Sequence, residues 1–357
     1  INDIKWMKRA IFLASLGKGT TSPNPMVGAV ILDKYGNLIS EGFHYKSGMP
    51  HAEAMAFNNL KEDANGGTIY VNLEPCCHRG KTPPCVEKII SFGIKKVYVS
   101  IKDPDKRVSG KGIKLLKDAG IKVHEGLCER ESLELNKSFI YRNINASAFG
   151  VLKWAMSMDG RVGLKNGKSK WITNKDSRLL VHSHRAGFDA IVIGGNTLRK
   201  DNPLLTSRGL SETEPLRVVF TKTLDLPEKS NLWDCELART LVVYDASTAN
   251  TNYLKRIPEC VEIEEIPSDN PKLISNLLAK KGCNNVLWEC GPKLATSAIK
   301  AGCIQELRTF IAPKILGGVS SMNPFADFEF NDMNEVFNLD THEISFIGDD
   351  IFVKSSI

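Results

Sequence analysis

The chain has no run of eighteen apolar residues, so an ordinary membrane-spanning helix is not expected. It also lacks a short apolar core followed by a small-residue cleavage site, which leaves ordinary secretion unsupported. Cysteine is thinly spread and odd in number: there are nine in 357 residues, and Cys128, Cys235, Cys260, Cys283, Cys290 and Cys303 stand singly. That is the usage of a reducing compartment, where the one tight cluster, at 76, 77 and 85, points to metal rather than a disulfide. No G-x-G-x-x-G follows any predicted strand, which argues against a Rossmann dinucleotide domain. No short repeat or low-complexity tract is evident, and 42% hydrophobic with 25% charged residues is the make-up of a globular chain.

The length favours two domains of ordinary size over one core. The net charge of +6 is unevenly placed: residues 1–147 carry 22 Lys+Arg against 15 Asp+Glu, and 148–357 carry 25 against 26. A modest positive bias in the first part suits a phosphorylated small substrate, nucleic acid or simply a solvated surface. The opening INDIKWMKRAIFLASLGKG reads as an amphipathic helix over about 3–16. The cysteine usage makes the cytoplasm the expected address, and because the sequence starts without methionine the alternative is a plastid with a targeting peptide removed.

Helix and strand signals alternate throughout. After the first helix come the strand MVGAVIL, the turn DKYGN, the strand LISEGFHY, a helix over 51–60 and the strand TIYVNL. A helix opening at PPC, the strand KKVYVSI, the helix GKGIKLLKDAG and the strand IKVHEGL complete one sheet with helices on its faces. A helix and polar connector then lead to a second α/β series: VLKWAMSM, AGFDAIVIGG, LRVVF, TLVVYDA, CNNVLWECGP and ELRTFIAPKILGG. The expected domains are 1–147 and 148–357.

The chemistry concentrates first in HAEAMAFNNL and NLEPCCHRGKTPPC. His51 and Glu53 open one predicted helix, and Cys85 opens another, with Cys76 at the expected end of the preceding strand. An H-x-E followed by P-C is the signature of zinc nucleobase deaminases, in which the Glu shuttles protons without binding the metal. One imidazole and two thiolates would leave a fourth position for water, as a catalytic zinc requires. The spacing after Cys76 breaks the usual C-x-x-C, because Arg79 stands where the second Cys belongs. The donors available are thus His51, His78, Cys76, Cys77 and Cys85. Side chains of neighbours at a strand end point oppositely, which disfavours Cys76 and Cys77 as joint ligands.

SPNPMVGAVI, GFHYKSGMPHAEAMAF, YVNLEPCCHRGKTPPC and IKDPDKRVSGKG resemble the deaminase half of the bifunctional deaminase/reductase family of riboflavin biosynthesis. The resemblance implies a cytidine-deaminase-like three-layer α/β domain, zinc on His51, Cys76 and Cys85, and Glu53 as proton shuttle. It also implies Asn24 and His44 as substrate contacts and Lys81 near a phosphate. LKWAMSMDGRV, SKWIT, HRAGFDAIVIGGNTLRKDNPLLTSR, WECGPKL and APKILGG resemble the reductase half, an α/β domain similar to dihydrofolate reductase. That match implies NADPH against Ala155, Trp171, Thr197 and Asp201 and the turn Gly291, Pro292, Lys293, Leu294, Ala295, Thr296 and Ser297. It implies the ribosyl substrate against Ser169, Arg185, Leu205, Arg208 and Glu289; Lys153, set in an otherwise apolar strand, is a further candidate for contacting the sugar.

A Gly turn feeding a helix is a ready anion site, and guanidinium forks suit phosphate. Where the family shows a small acidic or hydroxyl pair after LRVVF, this chain has Thr221-Lys222. The implied activities are hydrolytic deamination of a pyrimidine ribosyl phosphate and reduction of its ribosyl group. The implied assembly is a homo-oligomer through the reductase domains, with no nucleic-acid or membrane partner. The competing reading is a zinc deaminase of RNA or DNA bases with a non-catalytic C-terminal domain. The longer cysteine spacing and the second motif set speak against it.

Overall fold

A computed structural model describes residues 2–77, 84–105, 109–318 and 322–357. The chain divides into two compact units, Ile1–Asn145 and Ala146–Ile357.

The first unit runs α1 (Asn2–Ser15), β1 (Gly28–Leu32), β2 (Leu38–Phe43), α2 (Ala52–Asn58), β3 (Thr68–Leu73), α3 (Cys85–Ser91), β4 (Lys96–Ile101), α4 (Lys111–Asp118), β5 (Lys122–Glu125) and α5 (Glu129–Asn145). Its sheet has the order β2-β1-β3-β4-β5. β1 pairs antiparallel with β2 and β3, while β3, β4 and β5 are mutually parallel. All five residues of β1 are buried because both faces of the sheet are covered. On one face Met7, Ala10 and Leu13 of α1 pack against Val30, Leu32 and Tyr70. On the other, Ala29, Ile31 and Val71 meet Ala56 and Phe57 of α2, Val86 and Ile89 of α3, and Ile113 and Leu116 of α4. The result is three layers. Gly28 permits the contact with α1, since a Cβ there would lie 2.1 Å from the Ala10 carbonyl oxygen.

The second unit runs β6 (Phe149–Ser157), α6 (Lys175–Arg185), β7 (Ala190–Gly194), α7 (Gly195–Asp201), β8 (Leu216–Thr221), β9 (Thr240–Asp245), β10 (Glu262–Ile266), α8 (Pro271–Lys280), β11 (Asn285–Trp288), α9 (Pro292–Lys300), β12 (Glu306–Ala312), β13 (Asp340–Ile347) and β14 (Asp350–Ser356). The sheet order is β10-β9-β8-β7-β11-β6-β12-β14-β13. Strands are parallel from β10 to β12, and β14 and β13 are added antiparallel. The core gathers Val192, Val218, Leu241, Val286 and Trp288 with Ile274, Leu278 and Ala298 from the helices.

Three strands go beyond the sequence expectation. β10 and β13 are edge strands whose residues are largely polar or exposed, so neither carries the apolar run that marks a buried strand. β14 alternates half-buried and buried residues between β13 and the parallel core.

Candidate active sites

In the first unit the loops after β3 and β4 leave the carboxyl ends of parallel strands, where open α/β sheets hold their ligands. β3 ends at Leu73, so Cys76 and Cys77 lie in the loop beyond it rather than at the expected strand end. His51 is the residue that caps α2, not part of its first turn, and its extended backbone turns the imidazole toward the loop. Cys85 is the first residue of α3. His51 Nδ1 lies 3.5 Å from both Cys76 Sγ and Cys85 Sγ.

Zinc–sulfur and zinc–nitrogen bonds of tetrahedral zinc put such donors about 3.6 Å apart, close to the separation of His51 Nδ1 from each sulfur. Among the described residues these three form the group of donors able to hold a metal. Cys77 instead packs against the apolar core, and burial pushes its thiol up. His78 and Lys81 lie outside the described residues.

The two thiols of this group behave differently. The Cys85 thiol hydrogen bond, with help from His51, lowers Cys76, whereas Cys85 is raised well above the usual range. The backbone N–H of Cys85 also donates to Cys76 Sγ at 3.4 Å. Glu53 is 3% exposed, and burial followed by the Cys76 sulfur pushes its carboxyl up to about 7.

A cavity of about 260 Å³ opens onto these groups, lined by Asn24, His44, His51, Glu53 and Cys76. His44 Nδ1 sits 3.1 Å from the Pro50 carbonyl, which only accepts, so Nδ1 carries the proton. Nε2 then accepts from Asn24 Nδ2 at 3.0 Å. Burial lowers the pKa of His44, which keeps the ring neutral and fixes both residues at the cavity wall.

In the second unit the polar centre is a buried ion pair. Arg185, the last residue of α6, donates from Nε and Nη2 to the Glu289 carboxylate at 2.7 and 2.9 Å. The two side chains are 12% and 11% exposed. Burial alone would raise Glu289, but Arg185 outweighs it and holds the carboxyl at about 2. Lys153 on β6 faces the same pair; burial pushes its ammonium below the usual lysine range against the pull of Glu289. The Arg185 fork is therefore engaged by Glu289, and Nη1 lies 3.4 Å from the Thr206 carbonyl.

Arg208 is exposed, and both it and buried Leu205 take left-handed φ, 58° and 53°. Such backbone clusters at ligand segments. Ala155 lies on β6 opposite Phe310, and Ser169 is half-buried in the loop that follows. Trp171 is exposed, with the Arg178 guanidinium over its ring at 4.3 Å. Thr197 and Asp201 lie on α7, the latter exposed at its end.

Gly291 caps α9, and nothing lies within 4 Å of where its Cβ would be. The amides of Lys293 and Leu294 begin the helix and lack the preceding turn that would bond them, whereas the Ala295 amide already donates to Gly291. The Ala295 side chain packs into the core, the buried Thr296 hydroxyl accepts from the Ala326 amide at 2.9 Å, and Ser297 is exposed.

Comparison with known proteins places this arrangement. Residues 148–353 match the family of the RibD C-terminal domain, and residues 1–101 match the cytidine and deoxycytidylate deaminase zinc-binding region. The chain belongs to the RibD family. It is 42% identical to the riboflavin biosynthesis protein RibD of Synechocystis over 98% of this chain and 95% of that protein. It is 35% identical to the chloroplastic riboflavin biosynthesis protein PYRR of Arabidopsis thaliana, over 99% of this chain and 60% of that one. Among solved structures, a diaminohydroxyphosphoribosylaminopyrimidine deaminase/5-amino-6-(5-phosphoribosylamino)uracil reductase of Thermotoga maritima superposes with a TM-score of 0.90 at 34% identity. It covers 99% of this chain and 98% of that chain. Acinetobacter baumannii RibD gives 0.89 at 35% identity with the same coverage.

Further residues line the two sites beyond the candidates named from the sequence. Asp103 and Asp105 after β4, and Phe139, Arg142 and Asn143 of α5, also line the first cavity. The aspartates follow a parallel strand end, which is a readable signal; the α5 residues carry none, because only the packing of that helix brings them there. His182 sits 3.4 Å from Arg185 Nη1, and its place three residues earlier on α6 puts both on one helix face.

Proposed function

We propose that the chain catalyses two consecutive steps of riboflavin biosynthesis. In the first, 2,5-diamino-6-(5-phosphoribosylamino)pyrimidin-4(3H)-one and water give the corresponding uracil and ammonia. In the second, the ribosyl side chain of that product is reduced to ribityl at the expense of NADPH. The observation that carries the reading is the set His51, Cys76 and Cys85, spaced for tetrahedral zinc, with the buried Glu53 carboxyl beside it.

His51, Cys76 and Cys85 would hold the zinc, and the ion supplies the Lewis acidity that makes water nucleophilic near neutral pH. Glu53 takes a proton from the water and delivers it to the amino group, which leaves as ammonia. Its burial suits a group that must hold a proton for part of the cycle. Neutral His44 and Asn24 hold the pyrimidine edge in the cavity.

NADPH, which supplies the hydride, would lie along Ala155, Trp171, Thr197 and Asp201, with its phosphates at the open Gly291 turn and the amides of Lys293 and Leu294. Pro292, Leu294, Ala295, Thr296 and Ser297 shape that helix start. Lys153 contacts the sugar, placed by Glu289 and Arg185, while Ser169 and Leu205 line the substrate. Arg208, exposed and with its fork open to solvent, meets the phosphate.

Assembly through the second unit is supported by β13, an edge strand that exposes Ile344 (68%) and Phe346 (76%). No helix among the described residues is long and apolar enough to cross a membrane. The proposed address is the cytoplasm, or a plastid where a targeting peptide has been removed. The test supplies the diaminopyrimidine phosphate with zinc and NADPH and follows ammonia and NADPH together. Ammonia from an RNA oligomer instead of the nucleotide would replace this reading with the base-editing one.

A further inference from the structure

Two of the cysteines that stand singly in the sequence are brought together by the fold. Cys235 follows the short helical turn Asn231–Trp233 between β8 and β9, and Cys260 lies in the connection between β9 and β10. Their Sγ atoms are 2.6 Å apart and both are free thiols. Cys260 is exposed and Cys235 partly so, which gives a small reagent access from solvent.

We propose that Cys235 and Cys260 form a covalent modification site, a dithiol that small-molecule disulfides of the glutathione type convert to an intrachain disulfide. Cys260, the more exposed, attacks one sulfur of the reagent as its thiolate; the reagent S–S bond breaks and one thiol leaves with a proton. Cys235 then attacks the Cys260 sulfur, the mixed disulfide breaks, and the second thiol leaves. Two protein thiols are oxidised and one reagent disulfide is reduced to two thiols.

The electrostatics agree with this order. Burial and then the Cys260 thiol push Cys235 up to about 11, so Cys235 is the poorer first attacker. Once Cys260 is bound to the reagent, its thiol no longer opposes ionisation of Cys235.

The link would staple the β8–β9 connection to the β9–β10 connection. The first of these is held from beneath by buried Arg217, whose Nη2 donates to the carbonyls of Leu232, Asp234 and Ala238 at 3.0, 2.7 and 2.6 Å. Asn231 in turn donates to the Asn202 carbonyl at 2.7 Å and binds the Asn202 side chain, at the start of the segment that leads to Leu205 and Arg208. The staple therefore closes on the scaffold behind the proposed substrate segment.

The experiment treats the reduced full-length chain with oxidised glutathione, blocks remaining thiols by alkylation and maps peptides by mass spectrometry. The expected product joins the Cys235 peptide to the Cys260 peptide and raises the thermal midpoint by roughly 5–10 °C. In Cys235→Ser, Cys260 stops at the glutathione mixed disulfide and the midpoint shift disappears; Cys260→Ser gives neither link nor shift. Recovery of both residues as alkylated thiols, or of Cys260 as a mixed disulfide in the unsubstituted chain, would overturn the proposal. A linked chain with an unchanged midpoint contradicts the staple.

Discussion

The proposed zinc site draws its donors from residues 51–85 and gathers them at two helix starts and one strand-exit loop, so the motif and the geometry nearly coincide. The centre of the reductase unit does the opposite: Arg185 and Glu289 meet across 104 positions of sequence, from the end of one helix and the end of one strand. The first proposed site concentrates chemistry on four side chains, and the second, as proposed, distributes it over many residues around a buried ion pair. Local damage should therefore silence the first and leave the fold standing, whereas removing half of the ion pair in the second should cost stability as well as activity.

The sharpest way to separate the two is chelation. Stripping zinc is expected to abolish ammonia release and to leave NADPH oxidation intact when the deaminated pyrimidine is supplied directly, read by parallel ammonia and absorbance assays. Glu53→Gln keeps the volume and removes the proton shuttle; deamination should fall by about 10²–10⁴-fold with zinc content unchanged by metal analysis.

In the second unit Glu289→Gln leaves Arg185 buried and unpaired, and unfolding in urea should register a loss of about 3–5 kcal/mol. The same variant carries the pH signature. Glu289 is held at about 2 against an ordinary value of 4.5, so its stabilisation is fully present above about 4.5 and is lost as pH falls toward 2. The stabilities of the wild-type and Glu289→Gln chains should converge across that window and stay apart above it; a constant gap down to pH 2 would mean the ion pair is not its source. The smallest effect is expected at Arg208→Ala, where KM for the phosphorylated substrate should rise roughly tenfold with kcat nearly unchanged, the cost of one charge-assisted contact.

Much of this arrangement is legible in the amino-acid sequence. Apolar runs such as GAVIL and AIVIG announce central strands because burial on both faces demands them. His51, Glu53 and Pro75-Cys76 announce a zinc deaminase through residue type and order, although the choice of Cys85 over Cys77 rests on resemblance. What stays hidden has physical causes. β10 and β13 are edge strands with one side in solvent, so their sequences read as polar. Phe139, Arg142 and Asn143 reach the deaminase cavity only because α5 packs back on its own unit. The engagement of Arg185 by Glu289, which turns an expected phosphate fork into an internal brace, is a long-range fact that local pattern does not carry. The same holds for the approach of Cys235 to Cys260.

The most direct test of two activities on one chain is a single reaction with zinc-loaded protein, the diaminopyrimidine phosphate and NADPH, sampled for ammonia and NADPH at the same times. Ammonia should appear first, and NADPH should then be consumed in equal amount as the uracil intermediate is reduced. Ammonia with no NADPH consumption would contradict the reductase assignment, and NADPH consumption with no ammonia would contradict the deaminase assignment at His51, Glu53, Cys76 and Cys85.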